Sequence, residues 1–243
     1  MQYQRFVISP EQQQGTTIEL TQAQNHYLRR VLRLNVGDRA IAMTGQGTAW
    51  IVELTPAQAD MITPIAIETE LPVNITLMVA LPKQGIDEII RCCTEIGVTT
   101  IVPLLSERTL LKPSANKLTR WQRIAQEAAE QSERAIVPTI REPTPFASAL
   151  KAEKAVASHC YLCTARSDAP LLSTVLSGQL TDSDSLVIVT GCEGGWTDSE
   201  LSEAQASGFQ WVSLGRRILR AVTAPIVACG LVASASESLE TQH

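Results

Sequence analysis

Leu186-Val-Ile-Val-Thr-Gly-Cys-Glu-Gly-Gly-Trp196 and its echo, Val212-Ser-Leu-Gly-Arg-Arg-Ile-Leu-Arg220, decide the fold. Each is a short apolar run that reaches glycine and leads towards a helix. Leu186 to Val189 is uninterrupted and rich in β-branched residues, as expected of a strand buried on both faces. Gly191, Gly194 and Gly195 remove side-chain bulk from the loop that follows. Thr197-Asp-Ser-Glu200 reads as a capping box, with the Thr197 hydroxyl at the helix start and Glu200 reaching back. Gly208 fits the position that closes that helix. Phe209 to Leu214 predicts the next strand, Gly215 the next loop, and Thr223 an N-cap with Pro225 in the first turn. Strands opening into glycine loops bring backbone N–H groups close to a small ligand. Neither loop follows the phosphate-loop or the Gly-x-Gly-x-x-Gly pattern. The residues alone therefore leave two readings, small-ligand loops in an α/β domain or plain strand-to-helix turns.

Upstream, the same rhythm continues back to Leu71-Pro-Val-Asn74, the best boundary in the chain. Ile75 to Leu81 predicts a strand. A helix follows Lys83-Gln-Gly85, with Ile86, Ile89, Ile90, Cys93 and Ile96 on one side and Gly97 as its stop. Thr100 to Leu105 is the next strand, a helix is expected over Ser114 to Glu133, and Ala155 to Thr164 is a further strand. Alternating strands and helices argue for a parallel sheet. Ser236 to His243 reads as a polar, frayed tail.

The part before Leu71 reads differently. Arg5 to Ile8, Thr17 to Leu20, Arg39 to Thr44, Ala49 to Thr55 and Met61 to Glu70 are short strand candidates separated by turns, which suggests a small barrel. Thr21-Gln-Ala-Gln24 is a second capping box, expected to open one helix running to Arg33. Residues 1–40 hold five arginines (5, 29, 30, 33 and 39) against Glu11, Glu19 and Asp38. Arg29, Arg30 and Arg33 share the expected helix, with 29 and 33 on one face. They read either as a solvated face or as phosphate contacts that position RNA without reading its sequence.

Composition bounds the class. The chain has 243 residues, 44% of them hydrophobic, and a formal net charge of −5. That describes a folded protein with a sizeable core, not a disordered chain or a general nucleic-acid coat. No apolar run approaches a membrane span and the polar start is no signal peptide, so a cytoplasmic location and no membrane partner are expected. Six scattered cysteines read as reduced thiols. Cys160 and Cys163 lie in an expected strand, where a three-residue spacing points them to opposite faces, and no second pair has ligand spacing; no metal is expected.

Gly191-Cys-Glu-Gly-Gly-Trp-Thr197 with Glu200, and Leu214-Gly-Arg-Arg-Ile-Leu-Arg220 with Thr223-Ala224, resemble the two signature motifs of the SPOUT (α/β-knot) RNA methyltransferases. Thr94-Glu-Ile-Gly-Val98, Ser106-Glu-Arg108 and Glu130-Gln-Ser-Glu-Arg134 match in order. Within that superfamily the best match is the family of 16S ribosomal RNA uridine-N3 methyltransferases. The resemblance implies an α/β fold. A SPOUT trefoil-knot domain with a parallel sheet would span residues 73–243, with the knot at about 186–235. A PUA-like RNA-binding β-barrel would occupy residues 1–72. It implies a homodimer that binds S-adenosyl-L-methionine and methylates N3 of a uridine in 16S rRNA, within the small ribosomal subunit. No metal would be needed, because the sulfonium carries its own leaving group.

Carried over residue by residue, the implied cofactor contacts are Leu162, Thr190, Gly191, Glu193, Gly194, Gly195, Leu214, Gly215, Ile218, Leu219 and Thr223. The implied RNA contacts are Lys83, Gln131 and Arg134, beside Arg29, Arg30 and Arg33. Arg5 and Arg220 are expected to be catalytic. They would hold the uracil and stabilise the anion that forms when N3 loses its proton, a task for a cation and not for a base. N3 sits on the Watson–Crick edge, so the base must be unpaired or flipped out. The chain departs from the pattern at Cys192 and Arg216, each a proline in the family, and at Ala221-Val222, where the family has Thr-Glu. Two alternatives stay open: an enzyme of this superfamily acting on another RNA, and a non-catalytic RNA-binding relative.

Overall fold

A computed structural model describes residues 3–110, 113 and 115–240. It divides between residues 70 and 71 into two compact units, and residues 129–137 group with the smaller, N-terminal one.

The smaller unit is built on β1 (Arg5–Val7), β2 (Gln13–Gln14), β3 (Thr17–Glu19), α1 (Gln22–His26), β4 (Arg39–Met43), β5 (Ala49–Leu54) and β6 (Gln58–Ile65). The sheet order is β1-β4-β5-β6-β3-β2, antiparallel except where β1 joins β4. The last strand is shorter and earlier than Met61 to Glu70. Phe6, Ile8, Ile18, Leu28, Val52 and Leu54 fill one core cluster.

The Thr21 capping box forms as read, with Gln24 N–H donating to the Thr21 hydroxyl at 3.1 Å and Thr21 N–H to Gln24 Oε1 at 2.8 Å. The helix after it departs from expectation. It becomes a π-turn over Tyr27–Val31, and Arg33 lies outside it at φ +59°. The wider turn keeps Leu28 fully buried while the Arg29 guanidinium donates to the carbonyl oxygens of Leu34 and Thr55. Arg29 and Arg33 therefore do not share a helix face.

A second correction concerns Arg134. Its side chain is 2% exposed and pairs with Glu70 at 2.7 Å, while Glu70 Oε1 also accepts the N–H groups of Ala135 and Ile136. A buried arginine held this way ties residues 134–136 to residue 70 and is withdrawn from RNA.

The larger unit contains β7 (Asn74–Ala80), α2 (Ile86–Ile96), β8 (Thr100–Leu105), α3 (Ala115–Gln131, its end in the smaller unit), β9 (Thr139–Ile140), β10 (Thr144–Pro145) and α4 (Phe146–Lys154). It continues with β11 (His159–Thr164), α5 (Leu172–Leu176), β12 (Ser185–Thr190), α6 (Asp198–Ala206), β13 (Gln210–Ser213) and α7 (Thr223–Glu240). All strand pairs are parallel, in the order β10-β8-β7-β12-β11-β13 with β9 on β8.

The apolar strands are buried on both sides, as their lack of alternation requires. Met78, Val102, Leu104, Leu162, Val187 and Val189 pack with Phe146 and Leu150 of α4 and Ala204 of α6. On the other side α7 covers β7 and β12. The amphipathic α2 buries Ile86, Ile89, Ile90 and Cys93 and ends at Gly97, which adopts φ +118°. The Ser236 to Glu240 part of the expected tail is helical, and the expected helix start at Ser114 lies outside the described residues. Among the described residues no helix is long and apolar enough to cross a membrane.

Candidate functional site

The sheet order creates the site. β12 inserts between β7 and β11, although β8 follows β7 in the chain. Where strand order departs from chain order in a parallel sheet, the loops leaving the carboxyl ends diverge and open a crevice. The loops after β7, β8, β11, β12 and β13 line a cleft of about 930 Å³ in the larger unit. That is the upper end of the range of small-ligand sites, about 300–1,000 Å³.

The loop after β12 is held at several points. Thr197 caps α6, and the buried Glu200 carboxylate accepts N–H bonds from Thr197 at 2.9 Å and from Glu107 at 2.9 Å. The Arg108 guanidinium donates to the carbonyl oxygens of Gly194 at 2.7 Å and Trp196 at 3.1 Å. A Cβ at position 194 would come within 2.9 Å of the Arg108 Cβ, so the clamp requires glycine there. Trp196 packs on Phe146, with centroids 5.1 Å apart, and donates its indole N–H to the Cys163 carbonyl at 3.1 Å. Glu193 accepts the Lys83 backbone N–H at 3.0 Å. These bonds fix the loop before any ligand arrives.

The loop after β13 follows another pattern. Gly215 adopts φ +112°, and Leu214, Gly215, Arg217, Ile218, Leu219 and Arg220 all line the cleft. Arg220 is exposed on the rim, and its carbonyl accepts the N–H groups of Thr223 and Ala224 at the start of α7. Val222 packs its Cγ2 against Gly85, where a Cβ would be only 2.5 Å away, so the position with glutamate in the family pattern makes an apolar contact here.

Most of the expected cofactor residues come together. Thr190, Gly191, Glu193, Gly194, Gly195, Leu214, Gly215, Ile218 and Leu219 line one cleft, with Arg220 beside them. Two do not join them. Leu162 is fully buried in the sheet core, and the loop lines the cleft only from Cys163 to Arg166. Thr223 is the first residue of α7, not its cap, and its N–H closes the turn at Arg220. Arg5 belongs to the smaller unit, where its side chain is 12% exposed and ion-paired with Glu133 at 2.9 Å. The pairing engages one guanidinium nitrogen, while the buried Arg5 Nε has no hydrogen-bond partner among the described residues. Lys83 is exposed at the end of the β7 loop, Gln131 is exposed at the end of α3, and Arg30 and Arg33 are exposed in the smaller unit.

Sequence reading did not single out Arg108 or Arg166. For Arg108 the signal was present in Ser106-Glu-Arg108; for Arg166 there was none beyond its position after a strand.

The cleft fits S-adenosylmethionine on its own features. Its glycine loops expose backbone groups, and the buried Thr190 hydroxyl has no hydrogen-bond partner among the described residues. Such an unsatisfied buried group calls for a ligand or a water. Among the described residues no group of three or more His, Cys, Asp or Glu is placed to hold a metal.

Comparison with known proteins agrees with this geometry. Residues 69–233 match the model of the RNA methyltransferase domain, and residues 20–62 match the RNA methyltransferase PUA domain. A ribosomal RNA small subunit methyltransferase E from Synechocystis is 48% identical, over 96% of this chain and 78% of its own. The protein of that name from Bacillus subtilis is 30% identical, over 97% and 98%. The crystal structure of one from Neisseria gonorrhoeae, bound to S-adenosyl methionine, superposes with a TM-score of 0.84 at 31% identity, covering 98% of each chain. The chain belongs to the RNA methyltransferases, in the ribosomal RNA small subunit methyltransferase E family.

Proposed function

We infer that this chain methylates small-subunit ribosomal RNA with S-adenosylmethionine, and that the acceptor atom is N3 of a uridine. The observation that carries the reading is the convergence of the 191–196 and 214–220 loops on one cleft. Backbone groups of Gly191–Gly195 and Leu214–Leu219 hold the adenosine, and Thr190 supplies a hydroxyl. When bound, the cofactor supplies an electrophilic methyl group on a sulfonium. The residues do the rest. Arg220 donates hydrogen bonds to the uracil oxygens as N3 gives its proton to solvent water, and so favours the reactive anion. Its exposed guanidinium has no ion-pair partner among the described residues and is available for that task.

The same proposal assigns residues 1–72 to an RNA-binding barrel and residues 73–243 to the methyltransferase domain, knotted at about 186–235. It takes the chain as a cytoplasmic homodimer acting on small ribosomal subunits. Arg30 and Arg33 are its RNA-contact candidates on the barrel, with Gln131 in the same compact unit and Lys83 in the larger one.

The test is transfer of a labelled methyl group from S-adenosylmethionine to unmodified small subunits, large subunits and transfer RNA in parallel. Label in the small-subunit RNA alone is the expected result. Label in transfer RNA alone would move the chain to another substrate in the same superfamily.

A further inference from the structure

The cleft carries more positive charge than its cofactor explains. Arg108, Arg166, Arg217 and Arg220 line it, against Glu193 as the one acidic lining residue among those described. This concentration stands in a chain of net charge −5. Arg108 is committed to the carbonyl oxygens of Gly194 and Trp196. Arg220 has its place at the base. That leaves Arg166 and Arg217.

Neither side chain is ion-paired among the described residues, and both are exposed. They come from different loops, after β11 and after β13, whose strands are neighbours in register, Thr164 beside Ser213. Arg166 also holds φ +56°, a left-handed conformation uncommon outside glycine. Such backbone strain collects at functional sites, and the inference runs from the strain to the role. The nearby acid, Asp168, is exposed and makes no ion pair among the described residues.

S-adenosylmethionine bears a sulfonium and an ammonium against one carboxylate, so it is a net cation. A cationic ligand gains nothing from a cluster of arginines, and a cleft lined mainly by one sign of charge focuses its field on the opposite charge. The matching ligand is a polyanion that enters beside the cofactor. Planar guanidinium groups are suited to phosphate oxygens, which they bind in a bidentate manner.

We propose that Arg166 and Arg217 form a two-pronged phosphate clamp at the cleft mouth, holding the single-stranded RNA backbone on either side of the nucleotide delivered to Arg220. This rests on the cleft being the cofactor and base site. The clamp binds backbone, so it positions the strand and reads no sequence.

The experiment uses the full chain loaded with S-adenosylhomocysteine and a fluorescein-labelled oligouridylate of about twenty nucleotides, titrated over a salt series. Each phosphate contact to a single strand contributes about 0.7 to the slope of log affinity against log salt. The double variant Arg166→Gln/Arg217→Gln is expected to lower that slope by about 1.4, and Arg166→Lys/Arg217→Lys to retain it. Lys151→Gln, an exposed charge on α4, is expected to leave it unchanged. Calorimetry with S-adenosylhomocysteine and S-adenosylmethionine is the companion measurement. The double Gln variant should bind both within about twofold of the original chain. An unchanged slope overturns the clamp. So does a tenfold loss of S-adenosylmethionine affinity without a slope change, which would give the arginines to the cofactor's carboxylate. Failure of the unsubstituted chain to bind either cofactor form overturns the reading of the cleft itself, whatever the slopes.

Discussion

At the scale of single residues, the site separates arginines that hold protein from arginines that face the cleft. Arg108 bonds two carbonyl groups of the 191–196 loop, while Arg220 stands exposed on the rim. Arg220→Ala is therefore expected to lower kcat by about a hundredfold, the order found when one oxyanion-stabilising donor is removed. S-adenosylmethionine affinity should stay within about threefold. Steady-state kinetics and calorimetry check the split, and equal kcat in the variant removes Arg220 from the chemistry. Cys163 shows the opposite condition at the floor of the cleft. Burial pushes its thiol up to about 12 from an ordinary 9.0. The thiolate is the reactive form, so at pH 8.5 iodoacetamide should alkylate Cys163 far more slowly than an unhindered thiol. Peptide mass spectrometry of the native chain, against a urea-unfolded control, reads the difference.

Secondary-structure elements show why some of the molecule could be read in advance. β12, the Thr197 capping box and Gly208 are local signals, and each does what its neighbours in sequence require. The same holds for Thr21 and Gln24. The π-turn at Tyr27–Val31 was not legible, because it answers to the burial of Leu28 and to the Leu34 and Thr55 carbonyl groups. Arg134 was misread for a similar reason: its partner, Glu70, lies 64 residues away in sequence. α4 and α5 went unread as well. The cap positions of both, Pro145 and Leu171, supply no side-chain hydrogen bond, so no start signal stands in front of them. Three outcomes follow. Arg29→Gln loses its bonds to both carbonyl groups and should destabilise the smaller unit by about 1–3 kcal/mol, whereas Arg30→Gln should leave stability unchanged and weaken RNA binding. Glu70→Ala, which removes the carboxylate that pairs with the buried Arg134 guanidinium and accepts the N–H groups of Ala135 and Ile136, should cost about 3–5 kcal/mol. Urea unfolding followed by a probe in the smaller unit measures all three stabilities, and titration with labelled RNA measures the Arg30→Gln binding.

On the scale of the whole molecule, a parallel sheet supplies the frame and five loops at the carboxyl ends of its strands supply the site. Strand and helix rhythm alone led to the sheet. It did not lead to the order of strands, since β12 lies between β7 and β11 through pairings that no local pattern announces. The resemblance of the two loop motifs bridged that gap. Of the residues it named, Thr190, Gly191, Gly194 and Gly215 line one cleft, while Leu162 and Thr223 lie just outside the loops that line it. The change from Thr-Glu to Ala221-Val222 is absorbed by packing: Ala221 is buried and Val222 rests on Gly85. The loop therefore keeps its support without the glutamate, and activity is expected to survive the change.

The most direct measurement is the identity of the methylated nucleoside. Small ribosomal subunits lacking the modification are incubated with the purified chain and isotope-labelled S-adenosylmethionine, and the RNA is digested and analysed by mass spectrometry. The account predicts labelled 3-methyluridine, and its loss with Arg220→Ala. Label on carbon 5 of a pyrimidine, on a ribose oxygen, or on no nucleoside while the cofactor binds, would contradict it.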